Sequence, residues 1–356
     1  VSAATATPSY GPVAPRPARH QDAVVFTCDA GHLPYAWAAA DRITRMEPGR
    51  RFDVVLASPD IDRVPLHLRD GEVRLLPLVP VMPQIGITNP RITIASYFRY
   101  LLPGLLRNDY RAMLYCDTDT SLRRPAVQQL FDSIAAPFPL AAVPDFAHRE
   151  ALKPHRSAKG RANSARLRAA LGGPDGIYWQ SGVLLFQTAP YEAEGITERM
   201  MAFAQANQQV MARDRQGDQG ALNGSAAHLI ALLSPRWNWH NYRWLRPELV
   251  RRFDPLLLHF SGGAKPWLLT DDPLAAEVTG DWHAALRRWD PAFVPRPQRG
   301  SLAHAAAHPP TGIRPVDKLL VGLRQLGRGI GHAMPAKVGR SGVAEMRRLI
   351  ETTDIG

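Results

Sequence analysis

Cysteine is nearly absent from this chain of 356 residues: only Cys28 and Cys116 occur. That number and spacing exclude a disulfide framework and a cysteine-rich zinc site, and they make a reducing, cytoplasmic setting the expectation. Long apolar runs are missing too. None approaches the roughly 18–20 residues that a membrane-spanning helix needs. The opening twenty residues, VSAATATPSYGPVAPRPARH, contain no apolar segment of the signal-peptide kind and read as a flexible Pro/Ala-rich leader. Acidic residues are in deficit, with 32 Asp+Glu against 43 Lys+Arg, a net charge of +11 and a pI of about 10.1. Such a surplus favours an anionic partner without choosing among nucleic acid, anionic membrane and a phosphorylated substrate. Apolar residues, at 45%, are plentiful enough to bury a substantial core in one large or two smaller domains.

From residue 21 strand and helix signals alternate. AVVFTC (23–28) and FDVVLA (52–57) are short apolar β-rich runs, separated by a helical segment at 34–46 that Pro34 starts and Pro48-Gly49 stops. EVRLLPLV reads as a further strand, 91–107 as a helix, and RAMLYC as a strand. Continuous apolar strands interleaved with helices predict an α/β fold, a mainly parallel sheet covered on both faces. The second half offers a buried strand at 176–188, a helix to about 212, a loop entering a helix at GDQGALNG (217–224), and a strand breaking into a Gly-rich loop at PLLLHFSGGAKPW (255–267).

Two basic stretches stand out. Residues 149–168 carry seven Lys/Arg against Glu150 alone, and the chain from 301 onward carries eight against four acids. Within the latter, Leu319, Leu320, Leu323, Leu326 and Ile330 share one helical face that excludes Lys318, Arg324 and Arg328, the form of an interfacial helix on anionic lipid. Aromatics do not interleave with these runs, which argues against nucleic acid as the partner.

The run MLYCDTDTSL (113–122) ends abruptly in two aspartates one residue apart. In an extended chain Asp117 and Asp119 point the same way and Thr118 the other. Two carboxylates so close repel unless a cation, a proton or a basic side chain lies between them. A divalent cation with oxygen ligands would serve, and His259, emerging from PLLLHF beside Ser261, Gly262, Gly263 and Lys265, is a third ligand candidate. Imidazole tilts the choice toward manganese, with magnesium still compatible. Glycine amides and Lys265 there suit a phosphate. Each piece alone has a plainer reading: a solvated turn, a core histidine, or a helix capped by Asp218. Their joint occurrence points to a site at strand carboxyl ends, where open α/β sheets place ligands.

The order VVFTCD, ITIASYFRYLLPGLL, YRAMLYCDTDTSL, YWQSGVLLFQT, GDQGALNG and LLHFSGGAKPW, spanning about residues 23–267, resembles glycosyltransferase family 8, which includes glycogenin and bacterial lipopolysaccharide galactosyl- and glucosyltransferases. The resemblance implies a GT-A fold and manganese-assisted, retaining transfer of a hexose from a UDP-sugar to a glycan or lipid-linked acceptor. It implies Asp117, Asp119 and His259 as metal ligands, Asp29 at the uracil or ribose, and Thr27 among the donor-binding residues. Arg99, Gly262 and Lys265 fall at the diphosphate or donor sugar, with Thr118, Gln180 and Ser181 also on the donor side. Asp218 and Gln219 fall by the transferred sugar, and Asp145 near the acceptor. Gln180 departs from the asparagine common in the family, and TCDAGH lacks the frequent second polar residues after its aspartate.

The resulting layout is a leader over 1–20, a GT-A domain over 21–290 and a basic helical tail over 291–356, acting at a cytoplasmic membrane face. The alternative is an inactive nucleotide-sugar or carbohydrate-binding protein on the same fold. A nucleotidyltransferase could use the aspartate pair, but the block holding His259 and Lys265 suits it less well.

Overall fold

The computed structural model describes residues 11–78, 94–146, 158, 165, 177–208, 217–240, 246–261, 265–270, 273–298, 301 and 340–353. Strands β1 (Asp22–Thr27), β2 (Asp53–Ser58), β3 (Val73–Pro77) and β4 (Ala112–Cys116) pair in parallel. Helix α1 (Leu33–Met46) links the first two, and α2 (Phe98–Leu105) precedes the fourth. A short strand β5 (Thr120–Leu122) and helix α3 (Val127–Asp132) follow, then β6 (Leu140–Pro144), β7 (Trp179–Gln187) and helices α4 (Thr188–Ala193) and α5 (Ile196–Ala206). The single helix expected here breaks at Gly195, whose φ of 57° only glycine adopts without strain. The segment at 217–224 is helical from its first residue, as α6 (Gly217–Ala226), with no loop ahead of it among the described residues. Strand β8 (Ile230–Leu232), α7 (Pro247–Phe253), β9 (Leu257–His259), α8 (Pro273–Trp289) and α9 (Arg340–Glu351) complete the described elements.

The main sheet has the order β3-β2-β1-β4-β7-β6-β8. Only β7 runs against its neighbours, so the sheet is mostly parallel. Alternation along each strand feeds two cores. Val24, Phe26 and Leu114 face one side, where α1 and α8 pack; Ala23, Val25, Met113 and Tyr115 face the other, with α2, α5 and α6. With both faces covered, every residue of β1, β2 and β4 is buried, which explains their continuous apolar runs.

The chain winds outward from β1 to β3 and returns to begin again at β4 on the other side. That reversal opens a crevice between the carboxyl ends of β1 and β4. Above it β5 and β9 form an antiparallel ribbon whose register sets His259 across from Thr120.

The folded body exceeds the 21–290 assigned from sequence. Residues 11–20 hug the sheet edge: Val13 N donates to Asp62 Oδ1 at 2.7 Å, Arg16 caps the carbonyls of Gly71 and Val73, and Arg19 N reaches Asp53 Oδ2 at 2.9 Å. Hydrogen bonds between side chains and backbone hold most of this stretch, with Val13 and Ala18 the apolar residues packed on the cores, which is why composition read it as leader. At the other end Met346 of α9 is buried in the main core, with Ile350 packed against it. Residues 1–10, the basic stretch 149–168 except Ala158 and Ala165, and the amphipathic segment 317–330 lie outside the described residues. No helix among the described residues is long and apolar enough to cross a membrane.

Candidate active site

Asp117 follows β4 directly, and the chain then turns: Thr120 N and Oγ1 both donate to Asp117 O, at 3.1 and 2.8 Å. The two aspartates therefore converge through a turn, in place of the strand alternation expected from the sequence, because the apolar run ends and Thr120 closes the backbone on itself. Thr118 sits half-buried within that turn. Pairing of β5 with β9 then brings His259 Nε2 to 3.2 Å from Asp119 Oδ1 and 3.7 Å from Asp117 Oδ2. One ligand atom from each of Asp117, Asp119 and His259 lies within 4.8 Å of the others.

Gly182 on β7 forms the floor. A Cβ there would stand 2.5 Å from Asp117 Oδ2 and closer still to His259 Cε1, so the strand can pass under these groups only without a side chain. Two carboxylates and an imidazole converging over a position kept clear of side-chain atoms fit a divalent cation of the manganese or magnesium kind.

Without a cation, protein charges balance the carboxylates. Lys265 Nζ contacts Asp119 Oδ2 and donates to Phe260 O at 2.9 Å. Burial pushes the Asp119 carboxyl upward, but His259 and Lys265 outweigh it and hold the group well below the usual carboxylate range. Asp117 accepts from Tyr115 Oη at 2.7 Å and pairs with Arg99 Nη1 at 3.0 Å. Arg99 is itself deeply buried. Its Nη1 donates to Ser181 O and its Nε to Ser96 O, its plane covers the Tyr115 ring, and its Nε lies 3.5 Å from Asp218 Oδ2. Burial dominates at Asp218 and raises its carboxyl, against the pull of Arg99.

Beside this cradle, Gln219 is fixed at both ends of its amide. Its Oε1 accepts from Ser181 N at 3.1 Å and Ser181 Oγ at 3.3 Å, and its Nε2 donates to Asp145 Oδ2 at 2.9 Å. His240 stands behind Asp145, with Nε2 at 3.7 Å from Oδ1. Gln180 Oε1 turns back to accept from Gly182 N at 2.7 Å. At the end of β1, Thr27 is buried, and Asp29 accepts from Gly31 N at 3.1 Å and meets His32 Nδ1 at 3.2 Å. Gly262 lies outside the described residues.

A family model described as glycosyl transferase family 8 matches residues 23–271, more than two thirds of the chain. The chain belongs to glycosyltransferase family 8. Among curated proteins it resembles General stress protein A of Bacillus subtilis (strain 168), 27% identical over 196 residues, covering 51% of this chain and 62% of that relative. The match thus leaves more than a third of the relative's length unaligned. Among solved structures the galactosyltransferase LgtC, in complex with donor and acceptor sugar analogues, matches with a TM-score of 0.56 at 20% identity, over 78% of this chain and 99% of that one. The bifunctional glycosyltransferase WbbM gives 0.53 at 18%, over 82% and 55%. Identities this low speak to fold, and the fold is GT-A.

For a family 8 glycosyltransferase, the structure gathers most of the sequence-predicted residues at one rim: Asp117, Asp119, His259 and Lys265 in one group, and Ser181, Gln219 and Asp145 in another, with Arg99 and Asp218 packed beneath. Sequence reasoning missed Tyr115, Gly182 as the floor, Asn238 and His240. Gly182 carried a signal, a glycine inside an apolar strand run. Asn238 and His240 carried none, since nothing in RWNWH says which neighbours the fold will bring.

Proposed function

We propose that this glycosyltransferase is a retaining hexosyltransferase that moves galactose or glucose from a UDP-sugar to a glycan or lipid-linked acceptor such as a lipopolysaccharide core. The observation that carries this reading is the convergence of Asp117, Asp119 and His259 within 4.8 Å beside Lys265. Those three side chains would hold manganese or magnesium, which supplies Lewis-acid stabilisation of a diphosphate leaving group. Lys265 gives the diphosphate a fixed positive partner, with Gly262 beside it in sequence. Thr27 and Asp29 would bind the nucleoside. Thr118, Gln180 and Ser181 would line the donor side, and Gln219 with Asp145 would orient transferred sugar and acceptor.

Retention without a protein nucleophile suits the geometry. Gln219 Oε1 already accepts two hydrogen bonds from Ser181, and Asp218 is buried against Arg99. In the step we favour, the acceptor oxygen attacks the anomeric carbon from the face the diphosphate is leaving. The carbon–phosphate-oxygen bond breaks with its electron pair going to UDP, and the acceptor proton passes to the departing phosphate oxygen. Gln219→Glu is then expected to give no gain in rate; a large gain would overturn this route.

The deciding test is manganese-dependent release of UDP from a panel of UDP-sugars, by the protein and by Asp119→Asn, with UDP titrated in parallel. Donor-selective release lost in the variant is expected. UDP binding without release would move the inactive nucleotide-sugar binder ahead, and absence of both would leave the carbohydrate-binding reading.

The basic tail would dock on anionic lipid at the inner membrane face. Because Met346 belongs to the core and Ile350 packs against it, replacing Lys318, Arg324 and Arg328 with Gln is a sounder test than truncation. Weaker binding to anionic vesicles with hydrolysis retained is expected; unchanged binding would refute docking by this segment.

A further inference from the structure

Asn238 is buried, 1% exposed, and its place is fixed by backbone on both sides. It follows a 3-10 turn over Pro235–Trp237, and the next residue bridges to β9: Trp239 N donates to Leu257 O at 3.0 Å, and His259 N donates to Trp239 O at 3.1 Å. The Asn238 side chain therefore lies against His259 with little freedom to swing. Its Oδ1 is 2.9 Å from His259 Nδ1, and its Nδ2 donates to Gln180 Oε1 at 2.5 Å.

The orientation of this chain of amides is determined by one unambiguous group. Gly182 N–H is a backbone donor, so the Gln180 atom at 2.7 Å from it must be the carbonyl oxygen. An oxygen there requires Asn238 to present its NH2, because two carbonyl oxygens at that distance repel. Asn238 Oδ1 is thereby left facing His259 Nδ1, which must carry a proton to donate. Nε2, the nitrogen directed at Asp117 and Asp119, is then the one that offers its lone pair when a cation takes the place of its proton.

We propose that Asn238, oriented through Gln180 by the Gly182 amide, is the positioning residue that holds His259 in its Nδ1–H tautomer and so makes it a competent metal ligand. The inference rests on the metal-site reading under the proposed function. It also gives Gln180 a use that its expected place at the donor sugar did not suggest: the longer amide reaches back to Gly182 and Asn238. Partners on the far nitrogen of a ligating imidazole fix ring orientation and basicity, and their loss typically costs about 10–100-fold in metal affinity.

The test is manganese affinity, read from the free-ion electron paramagnetic resonance signal, on the full chain and three variants whose folding is checked by thermal melting. Asn238→Leu removes the acceptor and is expected to weaken binding by about 10–100-fold. Asn238→Asp keeps an oxygen toward Nδ1 but sets its second oxygen against Gln180 Oε1, so it is expected to bind more tightly than Asn238→Leu and less tightly than the parent, a partial rescue that generic packing damage would not show. Asp119→Asn should abolish binding. If Asn238→Leu binds like the parent, or Asn238→Asp loses as much as Asn238→Leu, the positioning role is overturned while the metal site stands. If the parent does not bind manganese, or Asp119→Asn binds like the parent, the metal-site reading fails and this inference with it.

Discussion

The two ends of the main sheet handle charge in opposite ways. At the amino-terminal end of the strands each buried charge closes on a local partner. Asp22 pairs with Arg111, and Asp53 accepts from Tyr110 Oη at 2.9 Å. Arg74 donates to that same hydroxyl and to Asp109, and Glu47 accepts three backbone N–H groups from the start of α3. At the carboxyl-terminal end the charges crowd instead. Arg99 is shared between Asp117 and Asp218, Asp119 lies between His259 and Lys265, and Asp117 and His259 meet over a floor that has no side chain. The first arrangement resembles ordinary stabilisation of a buried polar rim. The second keeps like charges together at a cost in desolvation, which a fold retains where a ligand will meet them.

Substitutions can break this comparison. The largest effect is expected at Arg99. Arg99→Met leaves the buried Asp218 and the half-buried Asp117 without their cation and should cost about 3–5 kcal/mol in urea unfolding. A loss under about 1 kcal/mol, the range of exposed pairs, would mean that water already screens this end. Next is Gly182→Ala, whose methyl group must displace His259 or Asp117. UDP release and manganese binding are each expected to fall by about 100-fold, near 2.7 kcal/mol. Retained binding would show that the floor yields and that crowding here is not tight.

At the opposite end, Tyr110→Phe removes hydrogen bonds to Asp53 and Arg74 and should lower stability by about 1–2 kcal/mol while UDP release per folded molecule stays constant. An altered donor affinity in that variant would dissolve the distinction between the ends. The smallest effect concerns His283, on α8, whose Nε2 lies 3.1 Å from Trp267 O. Burial lowers its imidazole below the ordinary histidine value. The unfolded chain therefore takes up the proton first, and stability is lost as pH falls through about 6.5. His283→Gln should flatten the drop in Tm between about pH 7.5 and about pH 5.5; an unchanged slope would assign that drop to other groups.

Much of this architecture is legible in the sequence because the sheet is buried on both faces. AVVFTC, FDVVLA and RAMLYC cannot be surface strands, and the residues that interrupt such runs, Asp117, Asp119 and His259, are conspicuous by contrast. What is not legible depends on long-range pairing. The turn at 117–120 closes on a carbonyl, which no side-chain pattern announces. Asn238 matters only because β9 lies beside it, and His240 only because Asp145 does. The stretch at 11–20 is held through backbone atoms, so its proline-rich composition gave no hint of attachment.

Strand β7 runs opposite to the rest of its sheet, and this decides which residues share the working rim. A reversed strand enters at the rim where its parallel neighbours leave. Strand β6 leaves that rim at Pro144 and β7 enters it at Trp179, so the connection between them starts and ends beside Asp145, Gln180 and Ser181. The rim therefore draws on the end of one strand and the start of the next, and residues far apart in sequence, Asp145 and Ser181, meet Gln219 there.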